Sequence, residues 1–131
     1  MRWLLDTNVL IQAHRGDPAV VRGRLARVSP EDMAVSAITV AELWYGAAKT
    51  PDPEKKRSMW RRFLESFTVL PFDRASGELH GDLRYALRRQ PIGERDLLIA
   101  CTALSNRLTL VTANMAELGR VPGLRVEDWS R

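Results

Sequence analysis

Residues 3–10 read Trp3-Leu4-Leu5-Asp6-Thr7-Asn8-Val9-Leu10, an apolar run interrupted by a short polar triplet. Buried strands of parallel sheets are short, continuous apolar runs, and Asp, Thr and Asn commonly begin helices. The stretch therefore predicts a buried strand over residues 2–6 that leads directly into a helix. Active sites of parallel α/β sheets lie beyond the carboxyl ends of the strands, which is the position that Asp6 would occupy.

The rest of the chain repeats this alternation of short apolar runs with segments of helical periodicity. Further strands are expected over residues 33–36, 68–72, 108–112 and 124–126. Helices are expected over residues 18–28, which Asp17-Pro18 would open, and over 38–49, 54–67, 73–89 and 94–106. Because strands that alternate with helices indicate a parallel sheet covered on both faces, we predict a three-layer α/β/α arrangement. The central sheet is expected to be mostly parallel, with four to five strands, in one domain over residues 1–131.

Composition narrows the possible classes of function. The chain has 131 residues, of which 45% are hydrophobic and 27% charged, which suits a globular protein with a real core. Its apolar stretches are far shorter than a bilayer span, and the N-terminal stretch lacks the features of a signal peptide, so we expect a cytoplasmic protein without a membrane segment. The single Cys101 cannot form an internal disulfide, and with His14 and His80 it offers no zinc-binding set.

Three carboxylates stand among apolar neighbours, where a folded core does not normally accept charge. They are Asp6, Glu42, within Ile38-Thr39-Val40-Ala41-Glu42-Leu43-Trp44, and Asp96, before Leu97-Leu98-Ile99-Ala100. A buried carboxylate needs a partner or a cation, because burying it unpaired is costly. If the three acids converge, the ligand that fits them is a hard divalent metal held by oxygen. This pattern indicates a metal-dependent hydrolase.

Asp6 and Asp96 each have an ordinary structural explanation as well. Asp6 can serve as the N-cap of the helix that follows it, and the residues leave cap and site equally open. Asp96 falls in the first turn of its predicted helix, where a carboxylate meets the positive end of the helix dipole. However, Asp96 shares its helix face with the small apolar residues Ala100 and Ala103, which favours an inward position.

Glu42 can be an exposed acid paired with Lys49 or Lys55. Its helical neighbour Gly46 favours a site instead, because glycine in a helix interior costs about 1 kcal/mol relative to alanine. We interpret Gly46 as a position that another group approaches closely.

Polar residues follow the predicted strand over 108–112. Thr112 and Asn114 lie at its end, and Glu117 follows one turn later, so the segment offers a hydroxyl, an amide and a fourth acid. These three residues, with Asn8 in the first polar triplet, are supporting candidates for the site. Turn chemistry, with Asn114 beginning a helix, explains the segment equally well.

Positive charge is concentrated in two places, although the net charge is only +4. Residues 55–62 read Lys55-Lys56-Arg57-Ser58-Met59-Trp60-Arg61-Arg62, and the second group is Arg84, Arg88, Arg89 and Arg95. Each group alone is explained by a solvated helix face. Combined with the three acids, the groups suggest a polyanion that is bound by arginines and cut at a metal.

The order of these motifs resembles that of VapC-type PIN-domain ribonucleases, the toxins of bacterial toxin–antitoxin pairs. The resemblance is carried by residues 4–10, 36–46, 91–100 and 110–114, together with the tail over 121–129, so it covers nearly the whole chain. Haloacid dehalogenase-type phosphatases also place Asp after their first strand. They need a second Asp two residues later, where this chain has Asn8.

The resemblance implies a pocket that binds Mg²⁺ or Mn²⁺, with Asp6 and Asp96 as metal ligands and Glu42 as the third acid. It also implies cleavage of RNA, in particular tRNA, to inhibit translation, and a homodimer bound by a small cognate antitoxin, with higher toxin–antitoxin complexes. The chain departs from the family pattern at Asn114, where many PIN domains carry a fourth acid, and Glu117 is a nearby substitute. The alternative that this departure raises is an inactive PIN fold that binds RNA or protein without cutting.

Overall fold

The structure, a computed structural model, describes residues 1–16 and 19–130. The predicted helix start at Asp17-Pro18 lies outside the described residues. The strands are β1 (Trp3–Leu5), β2 (Met33–Ser36), β3 (Thr68–Leu70), β4 (Thr109–Val111) and β5 (Val126–Glu127). The helices are α1 (Thr7–Arg15), α2 (Ala19–Ala26), α3 (Ala37–Ala48), α4 (Pro53–Leu64), α5 (Arg74–Ala86), α6 (Glu94–Ser105) and α7 (Met115–Leu118).

The strands form one sheet in the order β3-β2-β1-β4-β5, and every pair is parallel. In the central pair, Leu4 of β1 lies opposite Leu110 of β4. The prediction of a mostly parallel sheet of four to five strands is confirmed. Because β2 and β4 lie on opposite sides of β1, the direction of the chain across the sheet reverses at β1.

Alternating side chains of the strands enter two separate cores, one on each face of the sheet. Leu4, Ala34 and Leu110 point into the core that α5 and α6 cover. Their neighbours Leu5 and Val111 point into the other core, which α1 and α4 cover. Successive side chains of a strand point to opposite faces, so strands that are apolar throughout are buried on both faces of the sheet. The helices on both faces confirm the three-layer α/β/α arrangement.

Local capping explains where several helices begin. Ser36 and Asp73 accept hydrogen bonds from the backbone N–H groups of Thr39 and Ser76, three residues further on. Asp52 does the same at the start of α4, whose first residue is Pro53. These residues are typical of helix N-termini because they satisfy N–H groups that lack partners within the helix.

The predicted elements exist, but several are shorter than expected. Helix α4 ends at Leu64 instead of residue 67, α5 ends at Ala86 instead of 89, and β3 ends at Leu70 instead of 72. Turns follow the two helices, and Phe67, Leu87 and Phe72 beyond the three elements still pack against the cores, so apolar periodicity continues past the last helical or strand residue. The short helices Pro30–Asp32 and α7 were not given bounds by the sequence.

The structure also shows the environments of three single side chains. Cys101 is fully buried, and burial raises the pKa of its thiol to about 11, as expected for a core residue. Trp60 is a core residue, whereas Tyr45 is 65% exposed. No helix in residues 1–16 and 19–130 is long and apolar enough to cross a bilayer.

Candidate active site

The candidate site lies at the carboxyl ends of β1 and β4, where the order of strands reverses. Asp6 directly follows β1, and its backbone N–H donates to the carbonyl of Val111 at the end of β4. Thr112 directly follows β4 and is fully buried. Ligand sites of open α/β sheets occur at such reversal points, because the helices leave the two neighbouring strands on opposite faces and open a crevice.

Asp6 is both a helix cap and a member of the site. Its Oδ1 accepts from the backbone N–H of Thr7 at 2.8 Å, and its Oδ2 accepts from the Thr112 hydroxyl at 2.8 Å. Burial raises the pKa of Asp6 and outweighs these hydrogen bonds, which lower it. The charges of Asp96 and Glu42 raise the pKa further, so both acids are close enough to interact electrostatically with Asp6.

Glu42 is fixed by two donors that come from other helices. Its Oε1 accepts from the Thr7 hydroxyl at 2.6 Å, and its Oε2 accepts from Arg95 at 3.1 Å. The alternative of an exposed Glu42 paired with Lys49 or Lys55 does not hold, because the ion pair of Glu42 is formed with Arg95 of α6. Lys49 instead lies over the ring of Tyr45.

No group among the described residues makes the close approach that glycine at position 46 suggests. A Cβ atom built at this position would meet no other group within 4 Å. Gly46 therefore faces open space, where it lines a hollow of about 300 Å³ beside Glu42. The helix tolerates glycine here, and the structure does not explain why glycine is present.

Asp96 lies in the first turn of α6 and is linked to the segment that follows β4. The Asn114 side-chain amide donates to Asp96 Oδ2 at 3.0 Å and to Glu117 Oε2 at 3.2 Å. Burial is the main cause that raises the pKa of Asp96, and the nearby charges of Glu117 and Glu42 add to it. Asn114 thus bridges two acids, and it does so instead of using its side chain to cap α7.

These contacts join every predicted acid into one hydrogen-bonded group, which we call the acid network. Thr7 connects Glu42 to Asp6, Thr112 connects Asp6 to the backbone N–H of Asn114, and the Asn114 side chain connects to Asp96 and Glu117. The predicted supporting residue Asn8 is exposed and borders the network from α1. An open hollow of about 450 Å³, the acidic cleft, is lined by Asn8, Glu42, Gly93, Glu94, Arg95 and Asp96.

Two residues of the site were not recognised as such in the sequence. Thr7 was considered only as a helix cap, yet its hydroxyl contacts both Glu42 and, at 2.9 Å, the Thr39 hydroxyl. Arg95 belongs to the basic group for which the sequence suggests polyanion binding, and its contact with Glu42 is not predicted. The signal for Thr7 was its place inside the polar triplet, whereas the contact of Arg95 with α3 has no local signal.

The donor set of the network suits a hard divalent cation. It consists of carboxylate, amide and hydroxyl oxygens, and neighbouring acids add to the burial that raises the pKa of Asp6 and of Asp96, so an added positive charge would be favourable. Among residues 1–16 and 19–130, no three His, Cys, Asp or Glu side chains lie together as a ready-made set of metal ligands. Mg²⁺ usually keeps several waters and takes only one or two carboxylates from the protein, so Asp6 and Asp96 have the chemistry to hold such a cation.

Comparisons with known proteins agree with this architecture. A sequence model of the PIN domain matches residues 3–124. The tRNA(fMet)-specific endonuclease VapC of Shigella flexneri is 39% identical over 132 residues, which cover 99% of each chain. Ribonuclease VapC2 of Haemophilus influenzae is 37% identical over 131 residues, which cover 98% of each chain.

Solved structures give the same result. The DNA-bound VapBC complex of Salmonella typhimurium contains a chain that matches with a TM-score of 0.90 and 36% identity, over 98% of both chains. VapBC2 of Rickettsia felis, bound to a promoter DNA fragment, matches with a TM-score of 0.88 and 33% identity, over 98% of this chain and 99% of that one. The chain therefore belongs to the PIN-domain family and, within it, to the VapC ribonucleases.

Proposed function

We propose that this protein is an Mg²⁺- or Mn²⁺-dependent endoribonuclease that hydrolyses tRNA at the acid network and thereby inhibits translation. The observation that carries the proposal is the single hydrogen-bonded group that joins Asp6, Glu42, Asp96 and Glu117 across the ends of β1 and β4 and the helices α3, α6 and α7. The tRNA substrate is supported by relatives that are named tRNA(fMet)-specific endonucleases.

Asp6 and Asp96 are the residues that would hold the cation, with Glu42 as the third acid. Asp6 is held on both oxygens by Thr7 and Thr112, so its carboxylate has a fixed orientation. Asn114 holds one oxygen of Asp96 and leaves the other free for a ligand or a water. When bound, the cation supplies positive charge at the phosphate and makes water easier to deprotonate.

Glu42 is suited to orient the attacking water. Each of its oxygens accepts one hydrogen bond from the protein, and a carboxylate oxygen has a second acceptor site that can take a water. The water attacks the phosphorus, its proton passes to Glu42, and the bond from phosphorus to the 3′-oxygen breaks. The 3′-oxygen takes a proton from solvent, so the products carry 5′-phosphate and 3′-hydroxyl ends.

Arginines beside the turn between α5 and α6 support a polyanionic substrate. A surface hollow of about 470 Å³, the arginine recess, is lined by Ala86, Leu87, Arg88, Arg89, Gln90 and Arg120. Its lining within the described residues contains three arginines and no acid. The recess lies next to the chain segment that leads through Gly93 to Asp96, so RNA bound there would be directed toward the acids.

We also propose a cognate antitoxin and a homodimer as the protein's partners. The support is that chains of the VapBC complexes of three bacteria match this chain over nearly their full length. An antitoxin with a cationic side chain would be complementary to the acidic cleft.

The test is cleavage of end-labelled tRNA and of an unstructured RNA by purified wild-type protein, with Mn²⁺ or with excess EDTA. We expect cleavage only with the metal, and we expect Asp96→Asn to abolish it while the far-UV circular dichroism spectrum is unchanged. The control is Asp82→Asn, which removes an exposed acid of α5. Full, EDTA-sensitive activity of Asp96→Asn would overturn the assignment, and RNA binding without cleavage by wild type would favour the inactive binding module.

A further inference from the structure

We infer that Arg95 is the resident counter-ion of the acidic cleft: it holds Glu42 when no metal is bound and turns to an RNA phosphate when a divalent cation replaces it. The inference rests on the proposed function and adds a substrate-positioning residue to it. It also assigns Arg95 a role that the other exposed arginines do not have.

The first support is the placement of Arg95. Its guanidinium donates to Glu42 Oε2 at 3.1 Å, and it belongs to α6, one residue before Asp96. The described residues that line the acidic cleft include Glu42, Glu94 and Asp96 as acids, and Arg95 is their one cation. The positive charge of Arg95 lowers the pKa of Asp96, so it acts on a second acid of the site.

The second support is that this contact is easy to exchange. The side chain of Arg95 is 71% exposed, whereas that of Glu42 is only 21% exposed and is fixed from its other side by Thr7. Exposed ion pairs are weak because solvent screens them, so a divalent cation with several oxygen ligands can displace the guanidinium. Glu42 would stay in place while Arg95 moves.

The third support is the chemistry of the released group. A free guanidinium at the rim of the cleft presents a planar set of N–H donors that matches two phosphate oxygens. Its position beside Asp96 keeps it within reach of the phosphates next to the scissile bond. Removing Arg95 should therefore have opposite effects on the two ligands, with tighter metal binding and weaker RNA binding.

The experiment measures both ligands for wild type and for Arg95→Gln. Mn²⁺ is titrated calorimetrically into the RNA-free protein, and steady-state cleavage of tRNA gives KM and kcat. For Arg95→Gln we expect a Kd for Mn²⁺ about two- to fivefold lower, as the loss of an exposed competing ion pair implies. We expect a KM for RNA about tenfold higher, with kcat changed by less than about threefold.

Two further variants separate this role from a general effect of charge. Arg74→Gln is the matched control, because Arg74 is also an exposed arginine, at 93% against 71% for Arg95, and forms an ion pair with Glu78 outside the cleft. We expect it to change neither constant. Arg95→Lys keeps the charge and is expected to restore the wild-type affinity for Mn²⁺, but only part of the affinity for RNA, since lysine cannot bind phosphate through two parallel donors.

An unchanged or weaker affinity of Arg95→Gln for Mn²⁺, with normal metal binding and cleavage by wild type, would overturn the role of Arg95 alone. A wild-type protein that binds no Mn²⁺ would overturn the proposed function and this inference together. Equal effects of Arg74→Gln and Arg95→Gln would show that net charge, and not the cleft, determines both affinities.

Discussion

The hydroxyl of Thr7 is the contact whose removal tests the acid network most selectively. Thr7→Val removes this hydroxyl with almost no change of shape, and it leaves the backbone N–H that donates to Asp6. The variant loses a 2.6 Å hydrogen bond to the Glu42 carboxylate and a 2.9 Å contact with the Thr39 hydroxyl. Thr39 keeps Ser36 as a partner, so the main loss falls on Glu42.

The size of the effect follows from these contacts. A hydrogen bond to a charged group contributes roughly 1.5–3 kcal/mol, and a neutral one about 1 kcal/mol. Water can replace part of the loss because the Glu42 side chain is 21% exposed. We therefore expect the free energy of unfolding to fall by about 2 kcal/mol and Tm to fall by about 6 °C. Cleavage should fall about ten- to hundredfold, because Glu42 loses the Thr7 hydroxyl that fixes its Oε1.

The assays are thermal unfolding in EDTA and tRNA cleavage with Mn²⁺. Thr7→Ser is the matched control, because it keeps the hydroxyl and loses only a methyl group, at a cost of about 1 kcal/mol. It should keep most of the activity. Cleavage by Thr7→Val as fast as by wild type, or equal impairment by Thr7→Ser and Thr7→Val, would show that the Thr7 hydroxyl does not position Glu42.

Three further outcomes are expected. Asn114→Ala should reduce cleavage less than Asp96→Ala does, because Asn114 only holds the acid in place. The double variant Arg88→Ala/Arg89→Ala should bind RNA more weakly. The slope of the logarithm of its RNA-binding constant against the logarithm of salt concentration should be smaller in magnitude by about 1 to 2. Burial and neighbouring acids raise the pKa of Asp96 above its ordinary value of 3.8, so in the metal-free protein its charged form opposes folding at neutral pH. This penalty disappears as the pH falls toward that ordinary value, so the gain in Tm of Asp96→Asn over wild type in EDTA should be largest at neutral pH and vanish in acid. A gain that grows as the pH falls would contradict this sign.

The three-layer arrangement can be predicted from the sequence, because a strand buried on both faces of a parallel sheet is a continuous apolar run. Leu4 and Leu5 enter opposite cores, and the strand is therefore a continuous apolar run. The ends of α4 and α5 were predicted too late, since apolar side chains such as Phe67 and Leu87 still pack against the cores after the helices end. The periodicity of apolar residues indicates which side chains are buried, but it does not show where the backbone hydrogen bonds of a helix end.

The acids of the candidate site can be predicted from the sequence because charge in an apolar setting destabilises the fold. The contacts that connect these acids are harder to predict, because they join residues far apart in the chain. Asp6 and Asp96 are noticeable because a charge is costly in an apolar setting. Local spacing offers Glu42 only Lys49 and Lys55 as partners, whereas its actual partner Arg95 lies 53 positions away in sequence. Thr7 is an ordinary residue at a helix start, and only the tertiary structure shows its contact with Glu42.

The most direct test of the central claim is calorimetric titration of Mn²⁺ into the RNA-free protein and its single-charge variants. We expect one binding isotherm for wild type and a Kd at least about tenfold higher for each of Asp6→Asn and Asp96→Asn, because each removes a carboxylate from the same network. Glu78→Gln, which removes an acid outside the network, should match wild type. Wild-type affinity in both aspartate variants would contradict the claim that these distant residues form one cation-binding site.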